Sequence, residues 1–267
     1  MSQHFDIQSY YSHLKTRTLG RPCLYLDQID STIDVAQGTE PGTLVIAKQQ
    51  LRGRGQRGNV WISPVGCAMA SLKIACAKIS PLASRICFLQ HILVVVASKT
   101  LEHIDSTKLG TKQIRLKWPN DIMYIDPNSG GGEGLKIGGV LVHSKDMADR
   151  HDVTLSFGLN VFNSEPTTCI RDVIGPSHDL SIDFIVAEMM NRLEKYTIDL
   201  DEGTYWDLKS EYVNRCIQMG KVVVDETHGL VRIKDVSDDG YLVGERCTDG
   251  RLCTVTKIVP KSPINQV

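Results

Sequence analysis

Arg52-Gly53-Arg54-Gly55-Gln56-Arg57-Gly58-Asn59-Val60-Trp61 follows closely on a strand-like run, Thr43-Leu44-Val45-Ile46-Ala47. Three arginines and three glycines fill the segment, and a tryptophan closes it. Glycine tolerates positive φ and lets backbone approach a ligand closely. Guanidinium groups present forked donors that match phosphate and carboxylate. The indole supplies a flat face for a ring. Placed after a buried strand, such a loop suits a nucleotide together with a second anion. A flexible basic loop, or an arginine–glycine segment for RNA, is the other reading. RNA-binding tracts of that kind repeat within low-complexity sequence, and this one does not repeat.

Around this loop the chain reads as helices mixed with many strands. Asp30-Ser31-Thr32-Ile33-Asp34-Val35-Ala36 has the form of a helix start, with Ser31 as cap and Asp34 at the capping-box position. A strand is predicted over Ala68 to Ile74. A helix is predicted over 82–104, where Ile86, Leu89, Leu93 and Val96 fall at helical spacing. Ile114 to Trp118 reads as a strand that Pro119-Asn120-Asp121 breaks. The glycine-rich stretch 126–134 reads as a mobile connection before two strands, Ile137 to Val142 and Val153 to Val161. Ser181 caps a helix whose apolar stripe includes Ile185, Met189 and Leu193, and a further helix is expected over 203–215. Beyond Cys216 the texture changes to short β runs at Lys221, Leu230, Tyr241 and Leu252. Asp238-Asp239-Gly240 and Asp249-Gly250 mark tight turns between them. The pattern predicts an α+β chain with a catalytic portion over 1–215 and a small barrel over 216–267.

Bulk properties narrow the function. The chain has 267 residues and a formal net charge of -1, which disfavours a sequence-independent grip on nucleic acid. Its 42% hydrophobic and 23% charged residues are ordinary for a globular protein. The longest apolar run, Ile92 to Ala97, reads as too short to span a bilayer. No signal segment is evident at the first residues, so the expectation is a cytoplasmic protein without membrane contact. The eight cysteines form no Cys-x-x-Cys pair and read as reduced thiols. His91, His143 and His151 carry no motif.

Two further constellations carry chemistry. Lys117-Trp118-Pro119-Asn120-Asp121 is either a strand ending in a capped turn, or a site where Asn120 and Asp121 face a cleft and a carboxylate holds Mg²⁺ against phosphate oxygens. Lys136-Ile137-Gly138-Gly139-Val140 places two glycines inside an apolar strand, a sign of close approach to backbone. Lys136 is either a surface lysine at a strand start or a cation placed where charge develops. Ser156-Phe157-Gly158-Leu159-Asn160-Val161 alternates as a half-buried strand, with Asn160 a structural amide or a ligand contact.

In order, a Ser-Thr helix start, the Gly-Arg-Gly loop ending in Trp61, Lys-Trp-Pro-Asn-Asp, Lys-x-Gly-Gly-Val-Leu and Gly-x-Asn resemble the biotin–protein ligase (holocarboxylase synthetase) family over about residues 25–165. The run Gly58 to Ala68 is most similar to animal-type members. The resemblance implies a mixed β-sheet flanked by helices, followed by a small SH3-like barrel. It implies activation of biotin by MgATP to biotinyl-5′-AMP, then transfer to a lysine of a carboxylase's biotin carboxyl carrier domain. ATP with Mg²⁺ and biotin would be substrates, with no tightly bound prosthetic group.

Carried over by position, Lys136, Arg54 and Arg57 would be catalytic. Ser31, Thr32, Gln50, Gly53, Arg54, Gly55, Lys136 and Gly139 would hold biotin. Arg54, Gln56, Arg57, Asn59, Trp61, Lys117, Asn120, Lys136 and Asn160 would hold the nucleotide, and Asp121 the Mg²⁺. Two positions depart from the common pattern: Ile33 stands where many members have Asn, and Gln56 where many have Arg. About 25 residues precede the motifs, too few for a helix-turn-helix, so no DNA binding is expected. A lipoate or octanoyl ligase shares this fold. A non-enzymatic biotin-binding regulator would not need the phosphate-directed Arg54, Asn120 and Lys136.

Overall fold

The computed structural model describes residues 4–129, 134–201 and 205–259, with the side chains of 201, 205 and 206 left aside. In chain order it runs α1 (Ile7–His13), β1 (Cys23–Ile29), α2 (Thr32–Gln37), β2 (Leu44–Gln50), β3 (Cys67–Ala77), α3 (Leu89–Ile104), β4 (Ile114–Lys117), β5 (Asp121–Tyr124), β6 (Leu135–Asp146) and β7 (Arg150–Asn160). There follow α4 (Ile170–Ile174), α5 (Ile182–Asp201), α6 (Tyr205–Arg215), β8 (Val222–Asp225), β9 (Gly229–Val236), β10 (Leu242–Arg246) and β11 (Leu252–Val255). Short 3₁₀ turns cover Gln56–Gly58 and Ala83–Phe88.

Seven strands form one mixed sheet in the order β1-β2-β3-β7-β6-β5-β4. Only β1 and β2 pair in parallel; the other pairs are antiparallel. β7 lies at the centre and is buried at every position from Val153 to Asn160. A strand covered on both faces loses the clean apolar–polar alternation of a half-exposed one. Ala70, Leu72, Leu155, Phe157 and Val140 belong to one apolar core with α3 and α5. Side chains two apart in a strand share a face, so Ser71, Ser156 and Gly158 point to the other side, where α2 packs.

The second sheet is four-stranded and antiparallel, ordered β11-β10-β9-β8, as the short β runs foretold. Gly240 (φ 79°) and Gly250 (φ 72°) occupy its turns. An antiparallel bridge from Asp225 to Ile258 extends it.

Several expectations change. The helix predicted over 82–104 starts as a 3₁₀ segment that breaks helical geometry at Arg85, and regular α-helix begins only at Leu89. By length and composition Ala83–Ile104 is long and apolar enough to cross a membrane, contrary to the reading of its central run. In this fold it is a core helix, with Leu93, Val95, Val96 and Ala97 fully buried. Asp34 does not close a capping box. Ser31 Oγ accepts the Ile33 amide at 3.3 Å, while Asp34 turns to Arg54 at 2.7 Å. The glycine stretch 130–133 and residues 203–204 lie outside the described residues. All eight cysteines are free; Cys87 and Cys247 are exposed.

Candidate active site

The segment 50–63 folds back on itself as an irregular hairpin. Bridges join Gln50 to Ser63 and Arg54 to Val60, and Trp61 donates its amide to the Gly53 carbonyl at 2.9 Å. Gly53 is buried at the crossing, where a Cβ would stand 2.4 Å from the Trp61 carbonyl oxygen. Gly55 and Asn59 close the tip at 2.7 Å. The hairpin roofs a cavity of about 210 Å³ on the face of the sheet that carries α2. Thr32, Gln50, Arg54, Gly55, Gln56, Asn59, Trp61, Asn120, Asp121, Lys136 and Gly139 line it, joined by Ser156 and Gly158.

One wall is ionic and aromatic. Lys136 Nζ lies 2.5 Å from Asp121 Oδ1 and 5.1 Å from the Trp61 ring centroid. Asp121, Gly139 and Gly158 face one another across β5, β6 and β7, and the bare Gly139 leaves the space in which Lys136 meets Asp121. Trp61 lies flat against Gly158, where a Cβ would be 2.8 Å from the indole. A cation over a π-face is stabilised by about 0.5–2 kcal/mol. Beneath Trp61, burial drives the Cys67 thiol up to about 12, so it stays protonated.

The floor is neutral and polar. Thr32 N donates to Gln50 Oε1 at 2.7 Å, and Gln50 Nε2 donates to Ser63 Oγ at 2.9 Å. Thr32 Oγ1 meets Ser71 Oγ at 2.8 Å, and Ser71 donates to Ser156 at 2.8 Å. Gln50 therefore braces Thr32 and the hairpin at once. His143 stands near the Arg54–Asp34 pair. Its imidazole is held below the ordinary range, first by burial and then by the Arg54 charge.

Five expected contacts are placed elsewhere. Ser31 caps α2 and is absent from the cavity wall. Arg57 adopts φ 58° and faces a neighbouring recess beside His91, Trp118 and Tyr241. Its neighbour Gln56 borders both that recess and the cavity. Gly53 supports the hairpin from behind. Lys117 pairs with Asp121 only through strand register. Asn160 is held by the loop that follows β7: its Nδ2 donates to the Thr168 carbonyl at 3.1 Å, and its Oδ1 accepts from Asn163 at 3.0 Å. Asn120 does line the cavity while its Nδ2 donates to the Val140 carbonyl at 2.8 Å. Asp121 is already paired with Lys136, and the described residues hold no cluster of three metal-ligating side chains.

Ser63, Ser71 and Asp34 were missed as contributors. Serine within a strand has no motif of its own. The available signal was a polar residue, Ser71, between the apolar Ala70 and Leu72 of β3.

A sequence model described as the Biotin/lipoate A/B protein ligase family matches residues 25–160. The human protein named Biotin--protein ligase is 36% identical over 257 residues, covering 90% of this chain and 34% of that protein. Biotin--protein ligase 2 of Arabidopsis thaliana is 28% identical, covering 90% of this chain and 74% of that protein. The chain therefore spans about a third of the human relative's length. In structure it is similar to the biotin protein ligase from Aquifex aeolicus in complex with biotin and ATP, with TM-score 0.66 and 20% identity over 88% of this chain and 95% of that one. At that identity the likeness concerns the fold. With the family match covering half its length, the chain belongs to the biotin/lipoate A/B protein ligase family.

Proposed function

We propose that the chain is a biotin–protein ligase. A biotin carboxylate oxygen attacks the α-phosphorus of MgATP, the bond to pyrophosphate breaks, and biotinyl-5′-AMP remains. An acceptor lysine, as free amine, then attacks the acyl carbon; AMP leaves and the nitrogen loses a proton. Two anions must meet in the first step, and cations must offset their repulsion. The observation that carries this reading is the convergence of Arg54, Lys136 and Trp61 with the Thr32–Gln50 floor on one cavity. Lys136 would release Asp121 to meet the carboxylate and phosphate, and Trp61 would cover the base.

A lipoyl or octanoyl chain carries no polar group at that depth to hydrogen-bond with the neutral polar floor. Biotin, whose ring carries a ureido group, suits that floor. The proposed acceptors are biotin carboxyl carrier domains of carboxylases. The proposed division places biotin and nucleotide on residues before about 216 and assigns the second sheet to later steps. The test is incubation with biotin and MgATP, followed by mass spectrometry. Biotinyl-AMP is the expected product. Its absence, with lipoyl- or octanoyl-AMP formed from the matching acid, would replace the proposal with the lipoate reading.

A further inference from the structure

The protons on the cavity floor have an order that fixes what the floor can offer a ligand. Ser71 in β3 and Ser156 in β7 are cross-strand partners, and Thr32 reaches them from α2. A hydroxyl has one proton to give. Ser71 gives its proton to Ser156 at 2.8 Å. The 2.8 Å contact between Thr32 and Ser71 must then carry the Thr32 proton. The competing acceptor for the Thr32 proton is Gln50 Oε1. It lies farther from Thr32 Oγ1, at 3.0 Å, and already accepts the Thr32 amide at 2.7 Å. The protons therefore run from Thr32 to Ser71 to Ser156. The Ser156 hydroxyl is left with a proton and no acceptor among the described residues. It is 6% exposed and lies on the cavity wall.

We propose that Ser156 is a specificity-determining residue that donates a hydrogen bond to the ring of the bound acid, with Ser71 as the positioning residue that keeps this proton free. The proposal rests on the reading of the cavity as a biotin site. Biotin's ring offers one strong acceptor, the ureido carbonyl oxygen; its thioether sulfur is a weak one. Ser156 donates to the oxygen. Ser71 acts only through Ser156, so its contribution vanishes when Ser156 is gone.

Calorimetry with biotin and with 2-iminobiotin at pH 7 tests this. The iminobiotin ring is then a guanidinium, which has donors and no acceptor. Ser156→Ala should weaken biotin roughly three- to tenfold, the size of one net neutral hydrogen bond, and leave 2-iminobiotin within about twofold. Ser156→Cys, close in size with a weak donor, should behave like Ser156→Ala. Ser71→Ala should also weaken biotin, and the Ser71→Ala/Ser156→Ala double variant should bind no worse than Ser156→Ala alone. Equal losses for both ligands, additive losses in the double variant, or unchanged biotin affinity in Ser156→Ala, with a wild type that makes biotinyl-AMP, would overturn the inference and leave the ligase reading standing. A wild type that binds no biotin and forms no adenylate would overturn both.

Discussion

Single residues around the cavity divide into those that meet substrate charge and those that hold shape. Lys136 is of the first kind. It sits against Asp121 and over Trp61, so it is already aimed where two anions would meet. On the ligase reading, Lys136→Ala should cut ATP–pyrophosphate exchange by about a hundred- to a thousandfold, since one such contact contributes about 3–4 kcal/mol in the transition state. Biotin affinity should fall far less. If exchange survives within a few-fold, Lys136 does not have this role. Gly158 is of the second kind. Gly158→Ala would put a methyl 2.8 Å from the indole of Trp61 and force the ring away from the sheet. A stability loss of about 1–3 kcal/mol is expected, with a raised KM for ATP; an unchanged urea midpoint and KM would show that the indole has room to shift. The sequence displayed Lys136, Arg54, Trp61 and Asn120 because charge and aromaticity stand out beside glycine. It hid the roles of Ser71 and Ser156, because a serine's partners lie across the sheet. It gave no sign that Arg57, at φ 58° on the hairpin tip, borders the recess beside His91 and Trp118 rather than the cavity.

Elements with strong periodicity were the legible ones. β2, β3, β6, β7 and α5 were all foreseen, though β6 and β7 run further than their apolar runs suggested. β1 escaped notice because it is an edge strand of mixed exposure, and β5 because four residues behind Pro119 show no period. The junction of α3, α6 and the β9–β10 turn was not legible at all. His91 is stacked on Phe88 at 4.9 Å, meets the edge of Tyr212 at 4.4 Å, and would be 2.7 Å from a Cβ on Gly240. Burial pushes its imidazole down from 6.5 to about 3, with the Gly240 backbone working weakly the other way. A base depressed in the folded state binds its proton only on unfolding. The folded state is therefore undisturbed above about pH 6.5 and loses stability as pH falls toward 3, by about 1.4 kcal/mol per unit. Between pH 7.5 and pH 4.5, wild type should lose roughly 3 kcal/mol more than His91→Phe by urea unfolding. Parallel pH profiles for the two proteins would mean that His91 is not the group that titrates.

At the scale of the whole molecule, the two sheets are joined through the same turn that supplies Asn120 and Asp121 to the cavity. Arg115 Nε donates to the Arg215 carbonyl at 2.9 Å, and the Ile217 amide donates to the Leu116 carbonyl at 2.9 Å. Trp118 is held twice. Its amide donates to Gln218 Oε1 at 3.1 Å, and its indole donates to the Gly240 carbonyl at 2.9 Å. Gln218 returns a bond to the Trp118 carbonyl at 3.3 Å. The change of texture near Cys216 is plain in the sequence, yet these ties are not, because each pairs residues about a hundred positions apart. They alter what a truncation should do. Cutting after residue 215 removes the partners of the Leu116 carbonyl, the Trp118 amide and the Trp118 indole. It also uncovers Trp118, now 8% exposed, and the fully buried Tyr212. Each buried donor or acceptor left unpaired costs about 1–3 kcal/mol, against a total stability of about 5–15 kcal/mol for a typical domain. A 1–215 fragment should therefore melt well below the full chain and lose the cooperative unfolding of its β4–β5 turn, even though most cavity residues remain in it. Circular dichroism and hydrogen exchange at Ile114 to Tyr124 would read this directly. A fragment with the full chain's melting temperature and undiminished protection there would show that the second sheet is an appendage, and that the turn beside Asp121 needs no support from it.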